Sequence, residues 1–182
     1  HLGALEVALG SARDALRQCA QWLDEHPGAD AEFQARRLRA LVERAIAVKL
    51  DVVSRDLKES GDREFLNYGH TLAHAIELAE RYQMRHGAAV SIGLAFAAEL
   101  GRSVGYTSDA VADRHVAILK SLGLPTTYRN DRWAALLDGM KRDKKARGSQ
   151  LRFVVLEEIG KPRIYEVPDN SLLFAAYQEI GE

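Results

Sequence analysis

Asn-Tyr-Gly-His-Thr-Leu-Ala-His-Ala-Ile-Glu, residues 67–77, carries the strongest structural signal in this sequence. His70 and His74 are four residues apart, so on a helix they lie on one face, one turn from each other. His86 follows after a short break, which places three of the six histidines within 17 residues. Imidazoles at this spacing are typical of a divalent-metal site, or of a site that binds and protonates an anion.

A polar stripe accompanies these histidines on a helix predicted over residues 63–82. The stripe advances by four, three and four residues through Arg63, Asn67, His70 and His74. Burying such side chains without a ligand is costly, so the stripe predicts a polar active site. Gly69 weakens a helix by roughly 1 kcal/mol relative to Ala, a penalty that the close approach of a substrate or of a second backbone would explain.

The rest of the sequence predicts a mainly α fold, a multi-helix bundle with a short C-terminal β-hairpin. Apolar residues recur at helical spacing in segments 2–23, 31–57, 88–104, 109–122 and 131–142. The segment 88–104 is rich in Ala and Gly, which allows close helix contacts, so we expect it at the centre of the bundle. Two apolar runs joined by a turn predict the hairpin strands at residues 151–156 and 163–167, and a last helix follows at residues 171–177.

Composition favours one soluble domain over residues 1–182, because 47% of the residues are hydrophobic and 28% are charged. The formal net charge of −1 gives no indication of nucleic acid or of an acidic membrane as a partner. The longest apolar run, residues 87–98, is too short to cross a bilayer. Cys19 is the single cysteine, which excludes an intramolecular disulfide and agrees with a cytoplasmic location.

The start of the sequence indicates a piece of a longer protein. The chain opens at His1, and its only methionines are Met84 and Met140. We therefore expect a partner segment outside this chain.

Several charged residues have two possible interpretations, one structural and one functional. Lys49 lies in the apolar stripe of its helix, where it either extends to solvent or binds a carboxylate or phosphate. Glu6 is either a solvated carboxylate at the rim of the first helix or part of a site. The basic run at residues 141–147 is usual for a solvated face, and contact with phosphate or nucleic acid is the alternative.

Taken together, several separated motifs resemble the 3-dehydroquinate synthases, and specifically their helical C-terminal domain. The motifs stand in the family's order at residues 45–49, 59–63, 66–77, 86–87, 123–125, 143–145 and 151–156. Residues 86–90 and 152–156 resemble actinobacterial members of the family.

The resemblance implies a two-domain enzyme of the shikimate route to aromatic amino acids. An N-terminal domain, absent from this chain, would bind NAD, and the helical domain would supply a divalent metal, zinc or cobalt, and most of the substrate pocket. The implied reaction is a lyase step that converts 3-deoxy-arabino-heptulosonate 7-phosphate to 3-dehydroquinate and phosphate. A homodimer is the expected assembly, and this chain alone is expected to be inactive.

The family's functional positions match ten residues of this chain. The implied metal ligands are Glu6, His70 and His86. Lys49 and Arg63 would bind the substrate carboxylate, and Glu59 matches an active-site carboxylate. The positions implied around the substrate phosphate are Asn67, His74, Lys144 and Lys145. The resemblance therefore divides the two histidines of the helix between metal and phosphate.

Three positions depart from the family pattern. Leu9 stands where a lysine is usual, Ala73 where a glycine is usual, and Ala88 where a glutamate is usual. The Leu9 difference leaves open a related sugar-phosphate cyclase, of the aminodehydroquinate or 2-deoxy-scyllo-inosose synthase type, although Lys49 and Arg63 favour a substrate with a carboxylate. A non-catalytic relic that serves as a binding module is the alternative from another class.

Overall fold

The computed structural model describes residues 29–56, 61–144 and 150–182, which fall in two compact units divided between Leu66 and Asn67. The predicted class, mainly α with a C-terminal hairpin, is confirmed. The helix predicted at residues 2–23, which carries Glu6, Leu9 and Cys19, lies outside the described residues. The prediction of one domain over residues 1–182 stays a prediction.

The first unit contains a long helix, α1, at Ala29–Arg55, and a 3-10 helix, Asp62–Asn67, begins in it. The Asp56 carboxylate accepts hydrogen bonds from the backbone N–H groups of Gly61, at 2.7 Å, and Arg63, at 3.2 Å. It thereby caps the start of the 3-10 helix, whose first N–H groups have no partner within the helix. On α1 the predicted apolar stripe is only partly covered, because Val53 is buried whereas Leu41 and Val48 are exposed.

The second unit consists of five α-helices and the hairpin among its described residues. In chain order the elements are α2 His70–Ala79, α3 His86–Ser103, α4 Asp109–Ser121, the 3-10 helix Asn130–Arg132, α5 Trp133–Lys144, β1 Arg152–Glu158, β2 Lys161–Glu166 and α6 Asn170–Glu179. The strands pair antiparallel, with Val154 opposite Ile164, and Gly160 turns between them at φ 83°. A backbone bridge between Tyr128 and Gly181 joins the end of the chain to this unit.

Helix α3 forms the centre of the second unit, as its small-residue composition predicts. It packs against α2, α4, α6 and β1. Its side chains Ile92, Phe96 and Leu100 are fully buried, and Phe96 contacts Phe153 of β1 with ring centroids 5.6 Å apart. Among the described residues, no helix is both long enough and apolar enough to span a bilayer.

The continuous helix predicted over residues 63–82 is wrong. The chain leaves the 3-10 helix at Asn67, passes through Gly69 at φ 77° and ψ −16°, and starts α2 at His70. A left-handed conformation of this kind is accessible to glycine at low energy and interrupts a right-handed helix. The polar stripe is therefore not one helical face, and of its members only His70 and His74 lie on α2.

The interruption at Gly69 is explained by the close approach of a second backbone, one of the two reasons predicted for this glycine. A Cβ atom at Gly93 of α3 would lie 2.0 Å from the Gly69 carbonyl oxygen, and one at Gly69 would lie 2.9 Å from the Leu94 nitrogen. Neither position has room for a side chain. The start of α2 thus rests directly on the backbone of α3.

Ser91 attaches α3 to the segment that follows α4, and we expect its hydroxyl to contribute measurably to stability. The hydroxyl is buried and donates to the Pro125 carbonyl at 2.7 Å. Ser91→Ala leaves that carbonyl without this donor, so it is expected to lower the free energy of unfolding by about 1–3 kcal/mol. The check is urea unfolding of the full-length protein, with Ser121→Ala as control because that hydroxyl bonds within its own exposed helix end. Equal midpoints for the two variants would contradict the assignment.

Candidate metal and substrate site

Three imidazole rings meet where the start of α3 comes back to α2. The ring centroids of His70 and His86 are 5.4 Å apart, those of His70 and His74 are 5.6 Å apart, and those of His74 and His86 are 6.4 Å apart. The clustering expected from the sequence is therefore present in the folded chain. Two helices supply the cluster, so it depends on tertiary packing and not on helical spacing alone.

His70 is held by the backbone immediately before its helix. Its Nδ1 lies 3.0 Å from the carbonyl oxygen of Tyr68. A carbonyl only accepts hydrogen bonds, so Nδ1 carries the proton and the neutral ring has its lone pair on Nε2. This is the orientation that metal-binding histidines commonly adopt.

Tyr68 is fixed in turn through its side chain. Its phenol oxygen lies 3.2 Å from Nε2 of His115 on α4, and His115 Nδ1 lies 2.9 Å from the Val111 carbonyl. Because Nδ1 of His115 must donate to that carbonyl, Nε2 accepts the Tyr68 O–H. Burial raises the pKa of the Tyr68 phenol above its ordinary value, which keeps it a neutral donor. The backbone that holds His70 is thereby tied to α4.

His86 is held by a side chain that the sequence prediction omitted. As the first residue of α3, it has Nδ1 2.9 Å from a carboxylate oxygen of Glu77, near the end of α2. The bond places the proton on Nδ1 and the lone pair on Nε2, as in His70. The sequence did contain a signal, because Glu77 follows His70 by seven residues and His74 by three, which places all three on one side of a helix.

His74 differs from the other two histidines in its contacts. Within the described part of the chain it has ring contacts with His70 and His86, and no hydrogen bond to either of its nitrogens. It lines a cleft of about 290 Å³, together with Thr71, Ala75, Glu77, Leu78, Tyr82, Gly139 and Arg142. Arg142 forms an ion pair with Asp138 at 2.6 Å while remaining largely exposed. The cleft therefore offers an imidazole and a guanidinium, which are suitable groups for an anion.

The loop between α2 and α3 shapes one wall of this cleft. Arg81 and Tyr82 have positive φ angles of 51° and 59°, which are uncommon for residues other than glycine. The Tyr82 N–H donates to the Glu77 carbonyl at 2.7 Å, in the manner of a helix C-terminal cap. The same residue, Glu77, thus fixes the loop through its carbonyl and His86 through its carboxylate.

The remaining predicted site residues are distributed over other parts of the chain. Lys49 and Arg63 are half-buried residues of the first unit, and their placement beside the histidines stays a prediction. Asn67 ends the 3-10 helix, three residues before His70. Outside the described residues lie Glu6, Glu59, Lys145 and the side chain of Lys144.

The described residues supply two of the three predicted ligands of a divalent metal, His70 and His86. Two imidazoles on one tetrahedral zinc ion, at a Zn–N distance of about 2.0–2.1 Å, place their centroids roughly 5 Å apart. The His70–His86 separation of 5.4 Å agrees with this spacing. In segments 29–56, 61–144 and 150–182, no group of three His, Cys, Asp or Glu side chains could hold a metal ion. Glu6, the third predicted ligand, lies outside those segments.

Comparison with known proteins gives the family. Residues 10–146 match the model of the 3-dehydroquinate synthase C-terminal family. The chain belongs to this family. Curated 3-dehydroquinate synthases from actinobacteria support this membership. The synthase of Arthrobacter sp. (strain FB24) is 68% identical over 87% of this chain. The synthase of Paenarthrobacter aurescens (strain TC1) is 71% identical over 85% of this chain.

The chain spans less than half the length of these two relatives: 44% of the Arthrobacter synthase and 41% of the Paenarthrobacter synthase. The fold is shared with a solved 2-deoxy-scyllo-inosose synthase complexed with carbaglucose-6-phosphate, NAD+ and Co2+. That structure has a TM-score of 0.66 and 24% identity, over 80% of this chain and 42% of the other. A 2-epi-5-epi-valiolone synthase from Streptomyces hygroscopicus subsp. jinggangensis 5008, with NAD+ and Zn2+ bound, has a TM-score of 0.64 and 20% identity, over 94% and 46% of the two chains.

Proposed function

We propose that the full-length protein is a 3-dehydroquinate synthase, and that this chain supplies its metal ligands and most of its substrate pocket. The reaction would convert 3-deoxy-arabino-heptulosonate 7-phosphate to 3-dehydroquinate and phosphate. The observation that carries the proposal is the convergence of three histidine rings from α2 and α3. Sequence identity of 68–71% to curated 3-dehydroquinate synthases supports it.

His70, His86 and Glu6 would hold the metal. The hydrogen bonds to the Tyr68 carbonyl and the Glu77 carboxylate place the proton of each neutral ring on Nδ1, so both histidines would coordinate through Nε2. When bound, a divalent ion supplies Lewis-acid polarisation of substrate oxygens. The complexes of the solved structural relatives, one with Co2+ and one with Zn2+, support zinc or cobalt as the ion.

His74 would bind the substrate phosphate. Its ring faces the cleft that Arg142 and Thr71 also line, and its nitrogens have no competing hydrogen bond among the described residues. A phosphate needs several charge-assisted donors. Asn67, Lys144 and Lys145 are proposed as further donors on the basis of their motif positions.

The substrate carboxylate needs cationic partners of its own. Lys49 and Arg63 are proposed to bind the carboxylate, for which the planar guanidinium is well suited. Glu59 is proposed as an active-site carboxylate. NAD would be bound mainly by an N-terminal domain, in a homodimer located in the cytoplasm, and the chain alone would be inactive.

The test is phosphate release by the full-length protein supplied with NAD, zinc and the heptulosonate phosphate. We expect turnover that falls by about 10³-fold after removal of the metal by a chelator, since a Lewis-acid metal contributes several kcal/mol to the transition state. Activity should return on addition of zinc or cobalt. A glucose 6-phosphate assay tests one alternative: release from that sugar alone would identify an inosose-type cyclase, and release from neither substrate would refute the proposed activity.

A further inference from the structure

The hydrogen bond between Glu77 and His86 is the contact from which a further role follows. It joins the last turn of α2 to the first residue of α3 at 2.9 Å. The Glu77 side chain is 14% exposed and that of His86 is 59% exposed. The carboxylate is therefore largely enclosed, while the imidazole remains open on its other edge.

Helix electrostatics account for only part of this pair. A carboxylate in the last turn of a helix lies at the negative end of the helix dipole, where a cation is favoured. Glu77 occupies that position on α2, although its bond to His86 also places the carboxylate beside the positive start of α3. The α3 dipole can therefore favour the Glu77 carboxylate, but it gives no reason for a histidine at the first position of α3.

Chemistry at the His86 ring is a better explanation. The carboxylate accepts from Nδ1, so the neutral ring is held as the Nδ1–H tautomer with its lone pair on Nε2. The Tyr68 carbonyl imposes the same tautomer on His70. Within the described part of the chain, His74 receives no such hydrogen bond. The two histidines proposed as ligands are therefore the two that have an orienting acceptor.

We propose that Glu77 is a positioning residue that acts through His86: its carboxylate fixes the Nδ1–H tautomer and the direction of the ring, so that Nε2 can coordinate the metal beside His70. This inference rests on the proposed function. In this role Glu77 acts through His86 and is not itself a metal ligand. Carboxylate partners of this type commonly strengthen metal binding by raising the basicity of the ligand nitrogen.

Two measurements on the full-length protein test the role. The first is the tautomer of His86 in the metal-free protein, read from the nitrogen chemical shifts of ¹⁵N-labelled histidine. The second is zinc affinity, measured by competition with a chromogenic chelator. Glu77→Ala removes the acceptor, and Glu77→Gln keeps an amide oxygen that can still accept from Nδ1.

Glu80→Gln is the matched control. Glu80 caps the same helix end and accepts the Tyr128 O–H at 2.6 Å, so this substitution removes the same charge without touching a histidine of the cluster. Circular dichroism of each variant verifies that the protein is folded.

We expect Glu77→Ala to shift His86 towards the Nε2–H tautomer and to weaken zinc binding about 10- to 100-fold. Glu77→Gln should retain much of the affinity, and Glu80→Gln should stay within about twofold of the unsubstituted protein. An unchanged tautomer in Glu77→Ala, or a loss of affinity no larger than that of Glu80→Gln, would overturn the role of Glu77. An unsubstituted protein without stoichiometric zinc would refute the proposed function, and the tautomer measurement would still decide whether Glu77 orients His86.

Discussion

His70→Ala in the full-length protein is expected to abolish stoichiometric zinc binding and to lower kcat/KM by about 10³-fold, because it removes a proposed ligand of the metal. His74→Ala, one turn further along the same helix, should keep one zinc ion per chain. It should instead weaken binding of the substrate phosphate. We expect substrate affinity to fall about 10- to 100-fold, because one charge-assisted hydrogen bond is lost. The measurements are metal content by elemental analysis and steady-state kinetics.

These two variants form a matched pair, because each removes one imidazole from α2 and the two rings are neighbours, with centroids 5.6 Å apart. A general loss of packing would affect both in the same way. If His74→Ala lost the metal while His86→Ala retained it, the ligand pair would be His70 and His74, and the proposed division between metal and phosphate would be incorrect.

Gly93→Ala is expected to produce a large loss of stability although it adds only one methyl group. Its methyl group would lie 2.0 Å from the Gly69 carbonyl oxygen, so α2 and α3 would have to separate. We expect the free energy of unfolding to fall by about 3 kcal/mol or more, and the Tm by roughly 6–12 °C. Differential scanning calorimetry of the full-length protein measures the shift.

Gly87→Ala is the control for this substitution. It lies in the same helix, and a Cβ atom there would meet nothing within 4 Å. Replacement of a helical glycine by alanine at an open position should be neutral or stabilise by up to about 1 kcal/mol. If the Gly93→Ala protein had the same Tm as the Gly87→Ala protein, the backbones of α2 and α3 would be able to separate without a loss of stability.

The helices were largely predictable because their apolar periodicity is a local property of the sequence. The segment 88–104 predicted the observed α3, His86–Ser103, and the two apolar runs predicted β1 and β2. The break before His70 was not predicted. An isolated glycine in a helical pattern has the same sequence signal whether it is tolerated within a helix or adopts a left-handed conformation, and the contact that decides lies 24 residues away, at Gly93.

The candidate site was predictable to a similar degree. Clustering of His70, His74 and His86 follows from their proximity in sequence, and the folded chain brings their rings together. The orienting groups were harder to foresee. A backbone carbonyl, such as that of Tyr68, has no residue-type signature, and Glu77 resembles any solvated glutamate until α3 is packed against α2.

The contact between Gly69 and Gly93 also limits how this region can change in length. Gly93 follows His86 by seven residues, close to two helical turns, so both lie on one face of α3. Gly69 immediately precedes His70. The seven-residue spacing between His86 and Gly93 therefore fixes the direction in which His86 projects from α3. One residue inserted there would rotate His86 by about 100° relative to His70. A substitution in these two turns keeps this register, whereas an insertion or deletion changes it.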